Sequence, residues 1–156
     1  MLKNVTIHTD GACRGNPGPG GFGVVMTSGK HRIELSEGYS RTTNNRMELL
    51  AAIVGLESLT QACQVTLWSD SRYLIDAMTK GWLQGWKRKG WVTSNRQPVK
   101  NRDLWERLEQ ATANHEIEWR WLRGHVGHKE NERCDELAVA AAKGPNLHDD
   151  LGYPGD

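Results

Sequence analysis

The 156-residue chain has the length and composition of one globular domain. Hydrophobic residues make up 37% of it and charged residues 25%, which excludes a disordered or low-complexity protein. No apolar run approaches the ~18 residues that a membrane-spanning helix needs, and the N-terminus lacks a signal-peptide pattern. Three cysteines, at positions 13, 63 and 134, form no C-x-x-C pair and fit reduced thiols better than a disulfide framework. We therefore expect a soluble, cytoplasmic protein without a membrane partner.

The net charge of +1 conceals an uneven distribution of charge along the chain. Seven basic and no acidic residues lie between positions 80 and 102, whereas the rest of the chain has 13 basic and 19 acidic residues. A block of one sign attracts polyanions to one face of a protein. The same segment contains Trp82, Trp86 and Trp91, and basic residues mixed with aromatic rings are typical of a nucleic-acid groove. The alternative, that the tryptophans pack on the protein body, stays open.

The N-terminal third of the chain predicts an antiparallel meander followed by a helix. Alternating apolar residues predict strands over 3–9, 21–27 and 31–39. The glycine-rich stretch TDGACRGNPGPGG between the first two strands is interpreted as a hairpin loop. Helical spacing then begins near Asn44 and continues to about Ala62, with Asn45 as the expected N-cap and Glu48 as its capping-box partner.

Strand and helix alternate in the remainder of the chain. Further strands are predicted over 64–69 and 116–122, and further helices over 72–80, around Trp82 and Trp86, over 102–114 and over 132–143. Right-handed crossovers would place the strands at 3–9, 64–69 and 116–122 side by side and parallel. The expected fold is α/β, a five-stranded mixed sheet with helices on both faces. We expect one domain over 1–143, with a flexible tail over 144–156.

Acidic residues follow the predicted parallel strands at the edge where sites form in open sheets. Asp10 and Asp70 end neighbouring strands, about 5 Å apart by sheet geometry, and two such carboxylates repel each other unless a cation separates them. Glu48 and Asp135, each expected in the first turn of a helix, could complete the cluster. Oxygen ligands favour magnesium or manganese over zinc, and a pair of these ions could activate water and hold a scissile phosphate.

Each acid also has a purely structural interpretation. Asp10 could end a strand in an Asp-Gly turn, Asp70 could cap the helix after it, and Glu48 could serve only the capping box. Asp135 could be a solvated helix charge. The convergence of all four on one predicted sheet edge favours the functional interpretation.

Two loops carry further candidates. His125, in the sequence RGHVGH, could transfer protons near neutral pH, whereas a zinc site of His125, His128 and Cys134 would lack a fourth ligand. The loop at 15–21 lacks the G-K-[ST] ending of a P-loop. Its amides and Asn16 could contact a ribose or phosphate, or its glycines could serve only the turn.

Several stretches, taken together, resemble the bacterial type 1 class of ribonuclease H. They are TDGACRGNPGPGG, TTNNRMELLAAI, SDSRYL, GWKRKGW with PVKNRDLW, and GHVGHKENERCDELA, in the order and spacing of that family. The resemblance covers about residues 2–142. It implies endonucleolytic hydrolysis of the RNA strand of an RNA–DNA hybrid by two Mg²⁺ ions, for which Mn²⁺ could substitute, leaving 3′-hydroxyl and 5′-phosphate ends. It also implies a monomer without an obligate protein partner, in which residues 80–102 form the protrusion that holds the substrate without help from a preceding hybrid-binding domain.

The resemblance also implies a role for individual residues. The four acids would hold the metal ions, and His125 would be the mobile catalytic histidine. Cys13, Asn16, Asn44 and Asn45 would contact the RNA minor groove and its 2′-hydroxyls. Thr43 and Asn101 would form a phosphate pocket for the DNA strand, and Trp82 and Trp86 a DNA-binding channel, with Lys87, Arg88 and Lys89 beside them. Arg72 stands where relatives often carry Gln, so it could contact a base edge, a phosphate or a ribose.

Two rival functions stay open from the sequence. One is a non-catalytic module that binds hybrids, for which four acids would be unnecessary. The other is a DNA-cutting relative of the same fold, such as an integrase or resolvase. Turnover with Mg²⁺ or Mn²⁺ and a DNA-duplex control distinguish them.

Overall fold

The computed structural model describes residues 2–124 and 127–154, and these form five strands and five helices. The strands are β1 (Lys3–Cys13), β2 (Gly18–Ser28), β3 (His31–Thr42), β4 (Cys63–Ser69) and β5 (Glu116–Trp121). The helices are α1 (Asn44–Glu57), α2 (Arg72–Thr79), α3 (Trp82–Arg88), α4 (Arg102–Thr112) and α5 (Lys129–Lys143). Within the described residues, no helix is both long and apolar enough to cross a bilayer.

The five strands form one mixed sheet in the order β3-β2-β1-β4-β5. Short turns connect β1, β2 and β3, which pair antiparallel. Helix α1 connects β3 to β4, and α2, α3 and α4 lie between β4 and β5 in the chain. β4 pairs parallel with both β1 and β5. The predicted α/β fold with a three-stranded meander is therefore confirmed. The carboxyl ends of the parallel strands β1 and β4 lie side by side.

Helices cover the sheet unequally on its two faces. On one face α1 packs against β1 and β2, and α4 packs against α1, so that Ile7 and Val24 lie near Gly55 in the buried core. On the other face α5 crosses β1, β2 and β3, where the Cys134 thiol donates a hydrogen bond to the His8 carbonyl oxygen. The sheet is therefore sandwiched over its antiparallel half.

The glycine-rich stretch is mostly strand, contrary to the expectation of a hairpin loop. β1 continues to Cys13 and β2 begins at Gly18, which leaves only residues 14–17 as the turn. The reason is close helix packing, because a Cβ atom on Gly21 would stand 2.5 Å from the Ala138 carbonyl oxygen of α5. The glycines thus allow α5 to approach the sheet, a role that the sequence pattern does not reveal.

The beginning of α1 also differs from the prediction. The N-cap is Thr43, whose hydroxyl accepts a hydrogen bond from the Arg46 amide at 3.3 Å, and Asn45 lies inside the first turn. Glu48 therefore belongs to the second turn and takes no part in a capping box. Its side chain points instead to β1.

The basic segment 80–102 is anchored to the protein body by apolar side chains. Leu83 is buried, and the Trp86 ring lies 5.3 Å from the Trp105 ring of α4. Trp82 is 41% exposed. One of the two tryptophans of α3 therefore packs on the body, and the other faces solvent.

Part of the predicted tail, at His148, lies against the body, whereas the flexibility expected over 144–156 stays a prediction. The His148 amide donates to the Gly38 carbonyl at 2.8 Å, and the Ser40 amide donates to the His148 carbonyl at 2.9 Å. The tail thus extends the β3 edge of the sheet by an isolated parallel bridge between Tyr39 and His148. Pattern reasoning missed this contact because the segment has no periodicity.

Candidate active site

Three acidic side chains meet at the carboxyl ends of β1 and β4. Asp10 lies in β1, Asp70 directly follows β4, and Glu48 reaches them from α1. One carboxylate oxygen from each lies within 4.8 Å of the other two. Asp10 is only 4% exposed and Glu48 only 3%. Among the described residues, this is the one group of His, Cys, Asp and Glu side chains with converging ligand atoms.

The Glu48 carboxylate is held by the backbone of β1. Its Oε1 accepts a hydrogen bond from the Gly11 amide, whereas its Oε2 is buried and has no hydrogen-bond partner among the described residues. Gly11 is required for this approach, since a Cβ atom there would stand 2.7 Å from the Glu48 amide nitrogen. A buried, unsatisfied carboxylate oxygen is costly without a partner, and a cation would satisfy it.

The cluster also disfavours ionisation of its own carboxyl groups. Burial raises the pKa of Asp10 to about 7, and the nearby charges of Asp70 and Asp135 add to this rise, against hydrogen bonds with Glu48 and Gly11. Burial, followed by the Asp10 charge, also raises the pKa of Glu48 well above its ordinary value. A divalent cation among these oxygens would oppose both effects. The donor set of hard oxygens fits magnesium or manganese.

Asp135 lies beside this group without belonging to its closest contacts. It lines the same cavity of about 390 Å³ as Asp10, Glu48 and Asp70. Because α5 begins at Lys129, Asp135 lies in the second helical turn, not in the first as expected. The structure therefore brings all four predicted acids to one cavity.

His125, the predicted catalytic histidine, lies outside the described residues. It remains a prediction from the sequence.

Arg72 lies at the rim of the acidic cavity and is supported by a tryptophan. Its guanidinium carbon is 4.0 Å from the centre of the Trp121 ring, and the Trp121 indole donates to the Asp70 carbonyl oxygen at 3.2 Å. One side chain of β5 therefore contacts both Arg72 and the Asp70 backbone. Sequence reasoning missed Trp121 because the alternation of β5 is equally typical of a core position.

The residues expected at the RNA strand lie next to the acids. Asn44 and Asn45 line the acidic cavity, and the backbone amide of Asn44 donates a hydrogen bond to the side-chain Oδ1 of Asn16 at 3.0 Å. The thiol of Cys13 is partly exposed and donates to the Thr42 carbonyl oxygen at 3.4 Å. The β1–β2 turn and the start of α1 thus form one continuous polar surface.

Thr43 and Asn101 line a second cavity of about 410 Å³. Asn101 has the left-handed conformation, with φ of 63°, and its amide donates to the Tyr73 hydroxyl at 3.0 Å. Its Oδ1 accepts from Arg46 Nη1 at 3.3 Å. Asn16 and Asn45 also line this cavity, so it adjoins the polar surface described above.

The three consecutive basic residues of the protrusion are not equivalent. All three side chains are exposed, but Lys87 Nζ lies 2.6 Å from Glu109 Oε2 of α4 and forms an ion pair with it. The positive charge available to a ligand therefore comes mainly from Arg88 and Lys89.

Comparisons with known proteins agree with this geometry. The model of the RNase H family matches residues 2–143. The chain is 60% identical over 153 residues to a ribonuclease H of Aeromonas hydrophila, covering 98% of this chain and 99% of the relative. It is 58% identical over 152 residues to a ribonuclease H of Shewanella amazonensis, covering 97% of both chains.

Solved structures show the same architecture. LC9-RNase H1, a type 1 RNase H with the type 2 active-site motif, superimposes with a TM-score of 0.84 at 34% identity, covering 94% of this chain and 75% of that one. LC11-RNase H1, solved in complex with RNA/DNA hybrid, gives a TM-score of 0.62 at 27% identity, covering 89% and 96%. The chain therefore belongs to the RNase H family of nucleases, which hydrolyse the RNA strand of RNA–DNA hybrids.

Proposed function

We propose that this chain hydrolyses the RNA strand of RNA–DNA hybrids with two Mg²⁺ ions, leaving 3′-hydroxyl and 5′-phosphate ends, and that Mn²⁺ substitutes for Mg²⁺. The observation that carries the proposal is the cluster of Asp10, Glu48 and Asp70, in which one buried Glu48 oxygen has no hydrogen-bond partner in the part of the chain that the structure describes. Neighbouring anions in a buried site need a cation, and two-metal sites of this kind serve phosphoryl transfer.

Two of the four acids are buried and held in place by the protein, and the other two lie at the cavity wall. The Gly11 amide fixes Glu48, and β1 fixes Asp10, so these two buried carboxylates would hold the ions with little rearrangement. Asp70 and Asp135 line the cavity from β4 and α5 and would complete the coordination. When bound, the ions supply positive charge to the scissile phosphate and lower the pKa of the attacking water. His125 would move a proton to or from the reacting oxygens.

The polar surface beside the acids would recognise the RNA strand. Asn16, Asn44 and Asn45 offer amide donors and acceptors, and Cys13 lies next to them. Amides can contact the 2′-hydroxyl, which acts as both donor and acceptor and distinguishes RNA from DNA. The crystal structure of LC11-RNase H1 with an RNA/DNA hybrid supports a substrate of this class.

The DNA strand would be held at some distance from the acids. Thr43 and Asn101 would bind one backbone phosphate, and Trp82 and Trp86 of the basic segment would line the channel beyond it. The exposure of Trp82 supports a contact with nucleic acid, whereas Trp86 would act by holding α3 in place. Positive charge in the segment makes this contact dependent on salt.

We also propose a monomer that works in the cytoplasm. The cysteine pattern of the sequence supports this location, since three cysteines without a C-x-x-C pair fit reduced thiols better than a disulfide framework.

The experiment that tests the proposed activity is a substrate panel with Mg²⁺. An RNA–DNA hybrid, a DNA duplex and an RNA duplex of one sequence are labelled on each strand in turn, and the product ends are identified by phosphatase treatment. We expect cleavage of the RNA strand of the hybrid alone, with a 5′-phosphate on the downstream product. Binding without turnover in Mg²⁺ and Mn²⁺ would favour a binding module, and cleavage of the DNA duplex would favour a DNA nuclease.

A further inference from the structure

The C-terminal tail is attached to the body by a buried ion pair. Asp150 is 6% exposed and Arg46 only 1%, and Asp150 Oδ2 lies 2.7 Å from Arg46 Nε. The Thr42 hydroxyl donates to the same carboxylate at 2.7 Å. A buried guanidinium needs such partners, since an uncompensated charge in the interior is strongly destabilising. The tail position is therefore set by charge pairing as well as by its backbone bridge to β3.

Arg46 connects the tail to the second cavity. The guanidinium is shared between Asp150 of the tail, Asp103 of α4 and the Oδ1 of Asn101. The same Arg46 guanidinium contacts both Asp150 and Asn101. Removal of the Asp150 carboxylate therefore changes the position of the side chain that orients Asn101. Asn101 is one of the residues proposed to bind a phosphate of the DNA strand.

The tail also contributes directly to the walls of that cavity. Tyr153 and Pro154 line it together with Thr43, Lys100 and Asn101. The described residues that line it offer hydroxyl, amide and ammonium groups, and no carboxylate is among them. This combination suits an oxyanion, since phosphate oxygens accept hydrogen bonds from all three groups.

We propose that the docked tail, residues 147–154, is part of the binding site for a DNA-strand phosphate. Tyr153 contacts the phosphate through its hydroxyl, and Asp150 is a positioning residue that holds the tail and Arg46 in place. The inference rests on the proposed function, because it takes the hybrid as the ligand. It goes further in assigning the C-terminal segment a role in recognition of the substrate.

The test is a double-mutant cycle with Tyr153→Phe, Asp150→Ala and the double variant, measured by steady-state cleavage of a hybrid. We expect Tyr153→Phe to raise KM about fivefold, the size of one hydrogen bond, with kcat changed less than about twofold. Asp150→Ala should raise KM at least as much, and the double variant should be no worse than Asp150→Ala. Tyr39→Phe is the matched control, since its hydroxyl contacts Glu37 outside the cavity.

A second readout separates recognition from stability. Hybrids with one uncharged methylphosphonate at successive positions of the DNA strand should show one position at which the wild-type KM rises, and Tyr153→Phe should reduce that rise at that position only. An unchanged KM in Tyr153→Phe, independent effects of the two substitutions, or equal sensitivity at every methylphosphonate position would overturn the inference. Tyr153→Phe retains the ring, so its result stands even if Asp150→Ala unfolds. Cleavage by the wild type would leave the proposed function intact in each case, and failure of the wild type to cleave would refute that function separately.

Discussion

At the scale of single residues, the carboxylates of the active site repel one another, and a bound metal ion would reduce this repulsion. Asp10 has a pKa of about 7 when buried in the folded protein, against a value near 4 for an exposed aspartate. Between about pH 4 and about pH 7, Asp10 keeps its proton in the folded protein but has lost it in the unfolded chain. Stability without metal therefore falls as the pH rises from about 4 to about 7, because the unfolded state binds fewer protons over this range.

Replacing Asp10 with Asn should stabilise the metal-free protein in a pH-dependent way. Asn stays neutral, so we expect a gain on the order of 4 kcal/mol at pH 8 and little change at pH 4. Urea denaturation in EDTA at the two pH values measures it, with exposed Asp149→Asn as the control. An equal change at both pH values would show that ionisation is not the cause.

Arg72 provides a second test at this scale. Its support by Trp121 places a fixed positive charge at the rim of the acidic cavity, which suits a phosphate better than a base edge. Arg72→Gln should therefore reduce the slope of log KM against log salt by roughly 0.7 to 0.9, one phosphate contact. Arg120→Gln, in β5, is the matched control, since the Arg120 guanidinium also lies over a tryptophan ring, that of Trp68. An unchanged slope for Arg72→Gln would instead indicate a contact with a base or a ribose.

At the scale of the elements, different residues of the basic segment pack on the protein body and face the solvent, where a ligand would bind. Leu83 and Trp86 hold α3 against the body, whereas Trp82, Arg88 and Lys89 face solvent. The helical period does not predict this division, because Trp82 and Trp86 are four residues apart and share one side of α3. The contact of Trp86 with Trp105, more than 15 residues later in the chain, determines which of the two tryptophans packs on the body.

Charge reversal in the segment should weaken binding of the hybrid without affecting the metal site. Replacing Lys87, Arg88 and Lys89 by Glu should raise KM at least about tenfold at low salt and lower the salt slope. Among single variants, Arg88→Glu should raise KM more than Lys87→Glu does, since Lys87 is already paired with Glu109. Lys30→Glu, in the β2–β3 turn, is the control. Equal effects of Arg88→Glu and Lys30→Glu would argue against the segment as the binding surface.

At the scale of the whole molecule, topology brings distant residues together. Parallel crossovers place the ends of β1 and β4 side by side, so the sequence pattern was sufficient to predict that Asp10 and Asp70 meet. The approach of Glu48 was predicted for the wrong local reason, because Thr43 caps the helix and Gly11 allows the contact. Trp121 and the docked tail were missed, since each depends on a long-range contact that leaves no periodic signal.

The polarised charge distribution follows from the same architecture. The acids proposed to bind metal lie at the sheet edge, whereas seven basic residues lie in one segment that has no acidic residue of its own and packs beside α2 and α4. Bound cations would offset part of the negative charge. We therefore expect the metal-loaded protein to attract a hybrid more strongly than its formal charge of +1 indicates.

The most direct measurement is cleavage of a labelled RNA–DNA hybrid by the wild type and by Asp10→Asn, with Mg²⁺ and with EDTA. Metal-dependent hydrolysis at the acidic cluster predicts cleavage by the wild type only when Mg²⁺ is present. It predicts a loss of at least about 100-fold in kcat for Asp10→Asn, with hybrid affinity kept within about threefold. Undiminished cleavage by Asp10→Asn, or cleavage by the wild type in EDTA, would contradict it.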